Sequence, residues 1–592
     1  MQPKILHRIL VIFYLLPISV SGLAQDRFNL GFEYSYPRTT IAHRWKTGVD
    51  DGIYSSDSSV KYIGNRALKI TSPSGRYARR AYIDIGLLLN ELVHTHIRIE
   101  AKVMSDTTQQ KLPTLTVDIT LNGHDTTIVS ESKASDRLNK WTTTTLEFTL
   151  TEKQTSAYLS VNNNDKGTVW FDDIRVFSDG KEIHVKKQHS PSNLALMKKS
   201  ILPFGADATG TFSLPDRFMK VISTSRVIGL GEGTHGTVEF RLIQQAIAQR
   251  LAQEQKPVLI ALEASASASS QLNRYILTGS GDAKKILQTM NTNHFKYFCT
   301  EDFLNFIEWL KEENKRREQP IELYGVDVQY NNNAAELIPT SADEAFNLAR
   351  DSVKTISLRN RYFYPNDANK DDIQKLRANL ATMLEHLKYH KSSPFIDFYV
   401  MNALHLQVIA QESYLRDRDS LMAENLLLLN KQFPEKRIVF LANNAHCSVD
   451  TNYGGAGIKM AGYFFRKAFG AEYCSIGTIA HSGYYTAQNF ALEKKVMDSK
   501  GFFTSTEFTS KNVTSTNILH EAPKGSIEHF LKNLGQKYAI VQTSANKKTL
   551  GTIRDIGLVV RDCEQFSESE ITSLYDYVIF FRQAHATKII PY

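Results

Sequence analysis

The sequence predicts a multidomain chain in which an N-terminal β-sandwich precedes an α/β domain built on a largely parallel sheet and interrupted by a helical insertion. Three observations point there. At 592 residues the chain is too long for one hydrophobic core. Up to about residue 180 apolar residues alternate with polar ones, whereas from about residue 204 apolar strand-like runs alternate with stretches of helical spacing. Four of the later runs end in carboxylates or histidines, as expected where an open parallel sheet gathers a ligand beyond the carboxyl ends of its strands.

Residues 1–24 read as a secretory signal. Lys4, His7 and Arg8 give a positive start, ILVIFYLLPISVSGLA an apolar core, and Gly22-Leu23-Ala24 before Gln25 a cleavage site. The run is short for a membrane span, Pro17 interrupts it, and no Cys follows it to carry a lipid. The expectation is an exported protein, periplasmic or extracellular, with no integral membrane segment once the signal is removed. A formal charge of +8 is spread along the chain without a basic block, which argues against a nucleic-acid partner. Cys299, Cys447, Cys474 and Cys563 are far apart and form no C-x-x-C pair, so buried free thiols are expected rather than disulfides.

Residues 25–180 make the sandwich. TLTVDITLNG (114–123), TTTTLEFTLT (142–151) and GTVWFDDIRVF (167–177) alternate, and VNNNDKG is a turn between strands. Short strands without intervening helices favour two packed sheets. NLGFE, GNRALKI and VWFDDIRV resemble the jelly-roll domains that accompany secreted hydrolases, which implies a carbohydrate-binding role and a glycan partner for this part. Trp45, Trp141 and Trp170 lie here; stacking on sugar rings is one reading, and filling of the sandwich core by Trp141 and Trp170 is the preferred one. Residues 181–203, polar and aperiodic, read as a linker.

In the region 204–592, SRVIGLGE, KPVLIALE (256–263), IELYGVDVQ (321–329) and KRIVFLANNAH (436–446) are strands, and Leu242, Ile243, Ala246, Ile247 and Leu251 follow helical spacing. Helical stretches such as DDIQKLRANLATMLEHLKYH place the insertion at about 335–432. The strands end at Glu232 and His235, at Glu263, at Asp327 and Gln329, and at Asn443, Asn444 and His446.

Two readings compete for the first of these ends. Gly231 to Gly236 spell G-x-G-x-x-G, the loop that cradles a dinucleotide pyrophosphate. Against it, Glu232 would set a full negative charge beside the phosphates, and Glu263 lies 32 residues after Gly231, later than the usual ~20. A catalytic turn explains more. Histidine titrates near neutral pH and suits a general base, and a neighbouring carboxylate fixes its tautomer. His235 is therefore the candidate base, Glu232 or Glu263 its partner, and His446 a donor to a developing oxyanion or a leaving alkoxide. No G-x-S-x-G elbow occurs, so water activated by His235 is preferred to a serine nucleophile. No cofactor is expected. A zinc or manganese set of two His and two Glu is the rival, and it lacks H-E-x-x-H or any compact ligand spacing.

IGLGEGTHGTVEF, VLIALEAS, LNRYILTG, YGVDVQ, RDRDSLMAENL and LANNAH, in this order, together resemble the erythromycin esterase family, and GSIEHFLKNLG, IGLVVR and LYDYVIFF extend the resemblance over about 205–592. It implies a three-layer α/β sandwich with a small α+β part, and a serine-independent carboxylic ester hydrolase that opens a macrolide lactone, with a small-molecule ester or lactone as substrate. His235 matches the base, and Glu232, Glu263 and His446 the residues around it. Arg274 and Tyr275 in LNRYILTG and Arg416 in RDRDSLMAEN fall on motif positions; for the two arginines a pocket role and a surface salt bridge both stand. Glu301, Asp327, Gln329 and Asn444 complete the candidate substrate-binding set. TNHFKYFCTEDF departs from the Trp-rich segment of resistance members while keeping Thr300 and Glu301, which puts macrolide specificity in question.

Overall fold

A computed structural model describes residues 29–33, 42, 45–47, 53–73, 78–106, 110–121, 124–129, 138–154, 156–183, 197–207, 210–254, 256–292, 298–359, 370–391, 393–412, 418–450, 459–488, 493–497, 503–508, 514–522, 526–543, 550–554, 556 and 565–591. The signal segment 1–24, Arg416 and Cys563 lie outside them.

The N-terminal part is a β-sandwich of two antiparallel sheets. One orders Lys46–Thr47, Arg79–Asp84, Ser156–Asn163, Thr114–Leu121 and His124–Val129; the other orders Ile53–Asp57, Ala67–Ser72, Gly167–Ser178, His96–Ser105 and Thr142–Thr149. Strand alternation sends Leu68, Ile70, Val103, Val169 and Phe171 into the space between the sheets. The same alternation corrects the reading of the tryptophans. Trp45 is the one that fills the core, its Nε1 donating to the Asn29 carbonyl at 3.1 Å. Trp170, between Val169 and Phe171, must point the other way. It packs with Trp141, Met104 and Ala67 on the outward face of the second sheet, its Nε1 donating to Asp57 at 3.0 Å. Of the span read as linker, Lys181–Glu182 still pairs with Phe177–Ser178, Ile201–Pro203 is a strand of the next sheet, and 184–196 lies outside the described residues.

Among the described residues that next sheet has nine strands: β1 (Ile201–Pro203), β2 (Val227–Glu232), β3 (Val258–Ser265), β4 (Glu322–Asp327), β5 (Arg437–Asn443), β6 (Tyr473–Gln488), β7 (Thr514–Leu519), β8 (Tyr538–Gln542) and β9 (Tyr577–Ala584). Their order is β1-β8-β9-β6-β2-β5-β3-β4, with β7 pairing β6. From β9 to β4 every pair is parallel; β1, β8 and β7 join antiparallel. Strands buried on both faces need a layer on each side. Helices α1 (Val238–Ala252), α2 (Ala266–Thr278) and α3 (Glu301–Asn314) cover one face, burying Ile228, Leu230, Val439 and Leu441. The insertion helices 344–359, 370–389 and 395–412, with α4 (Arg418–Gln432) and α5 (Ala461–Phe469), cover the other, over Val227, Ile438 and Phe440. This is the expected three-layer α/β sandwich, its insertion falling between β4 and β5. Cys447 and Cys474 are buried free thiols, and Cys299 is buried as well. No helix among the described residues is long and apolar enough to cross a membrane.

Candidate active site

The three glycines of the 231–236 turn are used for close packing. A Cβ on Gly231 would lie 2.5 Å from Asn444 Oδ1, and one on Gly233 2.7 Å from the Thr478 carbonyl; one on Gly236 would overlap the Thr486 carbonyl. The Gly236 carbonyl accepts from both Thr486 and Thr587, and Val238 N–H at the start of α1 donates to His585. Of the N–H groups that a pyrophosphate would draw on, those of Gly233 and Val238 are spent within the protein, on Thr478 Oγ1 and on the His585 carbonyl.

This packed turn fixes its two ionisable residues. Glu232 ends β2, and its Oε1 lies 2.7 Å from His235 Nδ1. From the first turn of α1, Arg241 donates to Glu232 Oε1 at 3.0 Å and lies 2.9 Å from Oε2, with both side chains 2% exposed. The guanidinium also faces the rings of Phe298 and Phe303, at 5.1 and 5.6 Å from their centroids.

Glu263 is aimed by a bulge. Pairing of β3 with β4 shifts register between Leu262 and Ser265, and pairing with β5 stops at Leu262. Only glycine fits opposite, since a Cβ on Gly325 would overlap the Ala264 and Ser265 carbonyls. The freed carboxylate takes the Asn443 N–H at 2.7 Å on Oε2, with His446 Nε2 at 3.1 Å and Arg418 Nη2 at 3.2 Å on Oε1. Burial pushes this carboxyl up, but the charges of His446 and Arg418 outweigh it and hold the group well below the usual carboxylate range.

His446 sits on a one-turn helix, Asn444–Cys447, capped by the Asn443 side chain. Its Nδ1 lies 2.7 Å from Asp419 Oδ1, which also accepts the Ala461 N–H at 2.8 Å. Burial disfavours the charged imidazole, yet Asp419 and Glu263 together push its pKa up to about 10. Arg418, at the start of α4, clasps Asp327 with Nε at 3.0 Å and Nη2 at 2.6 Å.

The structure therefore brings Glu232, His235, Glu263, Asp327 and His446 into one buried cluster, and adds Arg241, Arg418 and Asp419. Sequence reasoning missed these three. A signal existed for Asp419, which precedes the buried Met422, Leu426 and Leu429 at helical spacing in α4. Five other candidates for substrate binding are placed differently, and for Arg274 the surface reading is the one that fits. Asn444 is a clasp: its Oδ1 accepts the Thr478 N–H at 2.9 Å and its Nδ2 donates to the Thr478 carbonyl at 2.7 Å. Tyr275 turns toward α3, its hydroxyl donating to Glu308 at 2.6 Å. Arg274 is exposed on α2, and Glu301 is exposed at the start of α3, 3.8 Å from Lys588. Gln329 joins the site through its backbone, donating to Asp327 Oδ1 at 3.1 Å. Among the described residues no group of three or more His, Cys, Asp or Glu side chains is arranged to hold a metal ion.

The erythromycin esterase family model matches residues 256–584, more than half of the chain. The chain belongs to the erythromycin esterase family. The match takes in Glu263, Asp327, Arg418, Asp419 and His446 and begins after the Glu232–His235 turn, later than the 205 expected from motifs. Erythromycin esterase type II of Escherichia coli is 23% identical over 412 residues, covering 63% of this chain and 92% of its own length. YbfO of Bacillus subtilis (strain 168), named as a hydrolase, is 24% identical over 393 residues, covering 58% and 80%. A solved succinoglycan biosynthesis protein shares the fold with a TM-score of 0.55 at 16% identity, covering 67% of this chain and 98% of its own. At the level of the family, the erythromycin esterase assignment supports an ester or lactone hydrolase.

Proposed function

We propose that the chain hydrolyses uncharged carboxylic esters or lactones, with His235 as the base that activates water. The observation that carries this reading is the Glu232–His235 pair at 2.7 Å. Glu232 holds the proton on Nδ1, which leaves the basic lone pair on Nε2, the arrangement a general base needs. Water loses a proton to His235 and attacks the carbonyl carbon. The His446 imidazolium, its two N–H groups held by Asp419 and Glu263, stabilises the oxyanion through its charge, and His235 returns its proton to the leaving alkoxide as the acyl C–O bond breaks, giving an acid and an alcohol.

Charge supports an uncharged substrate. The carboxylates of Glu232, Glu263, Asp327 and Asp419 face Arg241, Arg418 and the His446 imidazolium, so with His235 neutral the cluster is one negative charge in excess. Proton uptake by His235 balances it, whereas an anionic phosphate or sulfate ester would be repelled. Macrolide ring opening fits this chemistry, and the pattern of residues 1–24 supports work outside the cytoplasm.

The test incubates residues 25–592 and their His235→Ala variant with erythromycin, simple acyl esters and lactones, and follows product masses. Gain of one water, abolished in His235→Ala, is expected. Equal turnover in the variant, or none by the parent, overturns the proposal.

A further inference from the structure

We propose that Arg418 is a catalytic residue, its Nη1 donating, beside the His446 imidazolium, to the oxyanion of the tetrahedral intermediate. This rests on the hydrolase reading above and names the group that receives the developing charge.

The argument is a count of donors. A guanidinium has five N–H groups. Nε is spent on Asp327 Oδ1, and Nη2 on Asp327 Oδ2 and Glu263 Oε1. The polar atom given to Nη1 among the described residues is His446 Nε2, at 3.3 Å. That imidazole has Asp419 on Nδ1 and Glu263 on Nε2, two carboxylates that each call for a proton on the nitrogen facing them. The ring is therefore a donor at both ends, its two N–H groups held by Asp419 and Glu263, and it offers Nη1 no acceptor. A guanidinium N–H so placed is at rest only when an oxygen accepts from it, and an oxyanion does so best.

Position agrees. The Arg418 side chain is 20% exposed, against 2% for Arg241 and 9% for His446, so it is the cation of the cluster that an entering substrate can reach. The two bonds to Asp327 fix the fork before substrate arrives, and Asn425 ties α4 to β4 through the Val326 carbonyl at 2.9 Å. Donors held this way reorganise little during reaction.

The probe is phenylboronic acid, trigonal and neutral when free at neutral pH. In the site it takes up water as a tetrahedral boronate: a B–O bond forms, and the water proton passes to His235. Boron NMR reports the geometry and calorimetry the affinity, using the full mature chain. The parent is expected to bind it as tetrahedral boronate. Arg418→Gln, checked for an intact fold by circular dichroism, is expected to bind at least about tenfold more weakly and to lose about 10²–10³ in kcat with little change in KM. Millimolar guanidinium should restore part of both losses. His235→Ala should leave any bound boron trigonal. Tetrahedral binding kept in His235→Ala but lost in Arg418→Gln would remove the base assignment and keep Arg418 as the oxyanion donor. Boronate binding as tight and as tetrahedral in Arg418→Gln as in the parent, or none in the parent, overturns the proposal.

Discussion

Replacing Asn444 by Ala removes a side chain that stands in for a stretch of sheet. β6 parts from β2 after Ile476, so beyond that point the backbone groups of β6 on that side have no strand to pair with. The Asn444 amide supplies the missing peptide, accepting from Thr478 N–H and donating to Thr478 C=O. Asn444 is 1% and Thr478 2% exposed, so water does not replace it. A buried donor or acceptor left unmatched costs about 1–3 kcal/mol, and two of them place Asn444→Ala at roughly 2–6 kcal/mol. Urea unfolding followed by circular dichroism measures this as a lowered midpoint at unchanged slope. Asn444→Asp separates the two bonds: a carboxylate still accepts from the N–H but sets a charge against the carbonyl, and should be no less damaging. If Asn444→Ala stays within about 1 kcal/mol of the parent and instead raises KM, the side chain is a substrate contact and the account is refuted.

Arg241→Met is expected to destabilise by about 3–5 kcal/mol, because it leaves the Glu232 carboxylate buried without its cation; recovery of part of that loss in the Glu232→Gln, Arg241→Met double variant checks the cause by denaturation. The raised pKa of His446, from 6.5 to about 10, stabilises the fold in full below 6.5 and is lost as pH rises through about 10. Unfolding free energy should therefore decline between neutral and strongly alkaline pH, and an equal decline in His446→Gln would contradict this. Gly236→Ala forces a methyl into the Thr486 carbonyl, so the turn must shift; a lower melting temperature and loss of turnover together are expected, and normal values for both would show that the turn tolerates the shift.

Much of the site is legible from sequence because an apolar run that ends abruptly in Glu, Asp or His announces a buried strand delivering chemistry to one edge. Glu232, His235, Glu263, Asp327 and His446 all follow this pattern. Arg418 and Asp419 do not, since they reach the site from a helix whose facing depends on packing against β4. Arg416 and Arg418 stand two apart in RDRDS, and spacing alone does not say which one faces the sheet. Arg241 looks like an ordinary charge on an amphipathic helix until Phe298 and Phe303, from a distant segment, are seen to enclose it. In the sandwich, alternation around Val169 and Phe171 held the answer for Trp170, which follows from counting in twos along one strand.

The turn carrying His235 is bonded by His585 and Thr587, and the residues between them and Pro591 run on to Thr300 and Cys299. These contacts join chain positions separated by most of the α/β domain, the kind of pairing that forms late in folding. A ribosome delivers Gly236 long before it delivers Thr587, and in the interval the sandwich already has every strand it needs. Assembly of the site is thereby tied to the arrival of residues 585–590, and no product of synthesis that stops short of them carries a finished one.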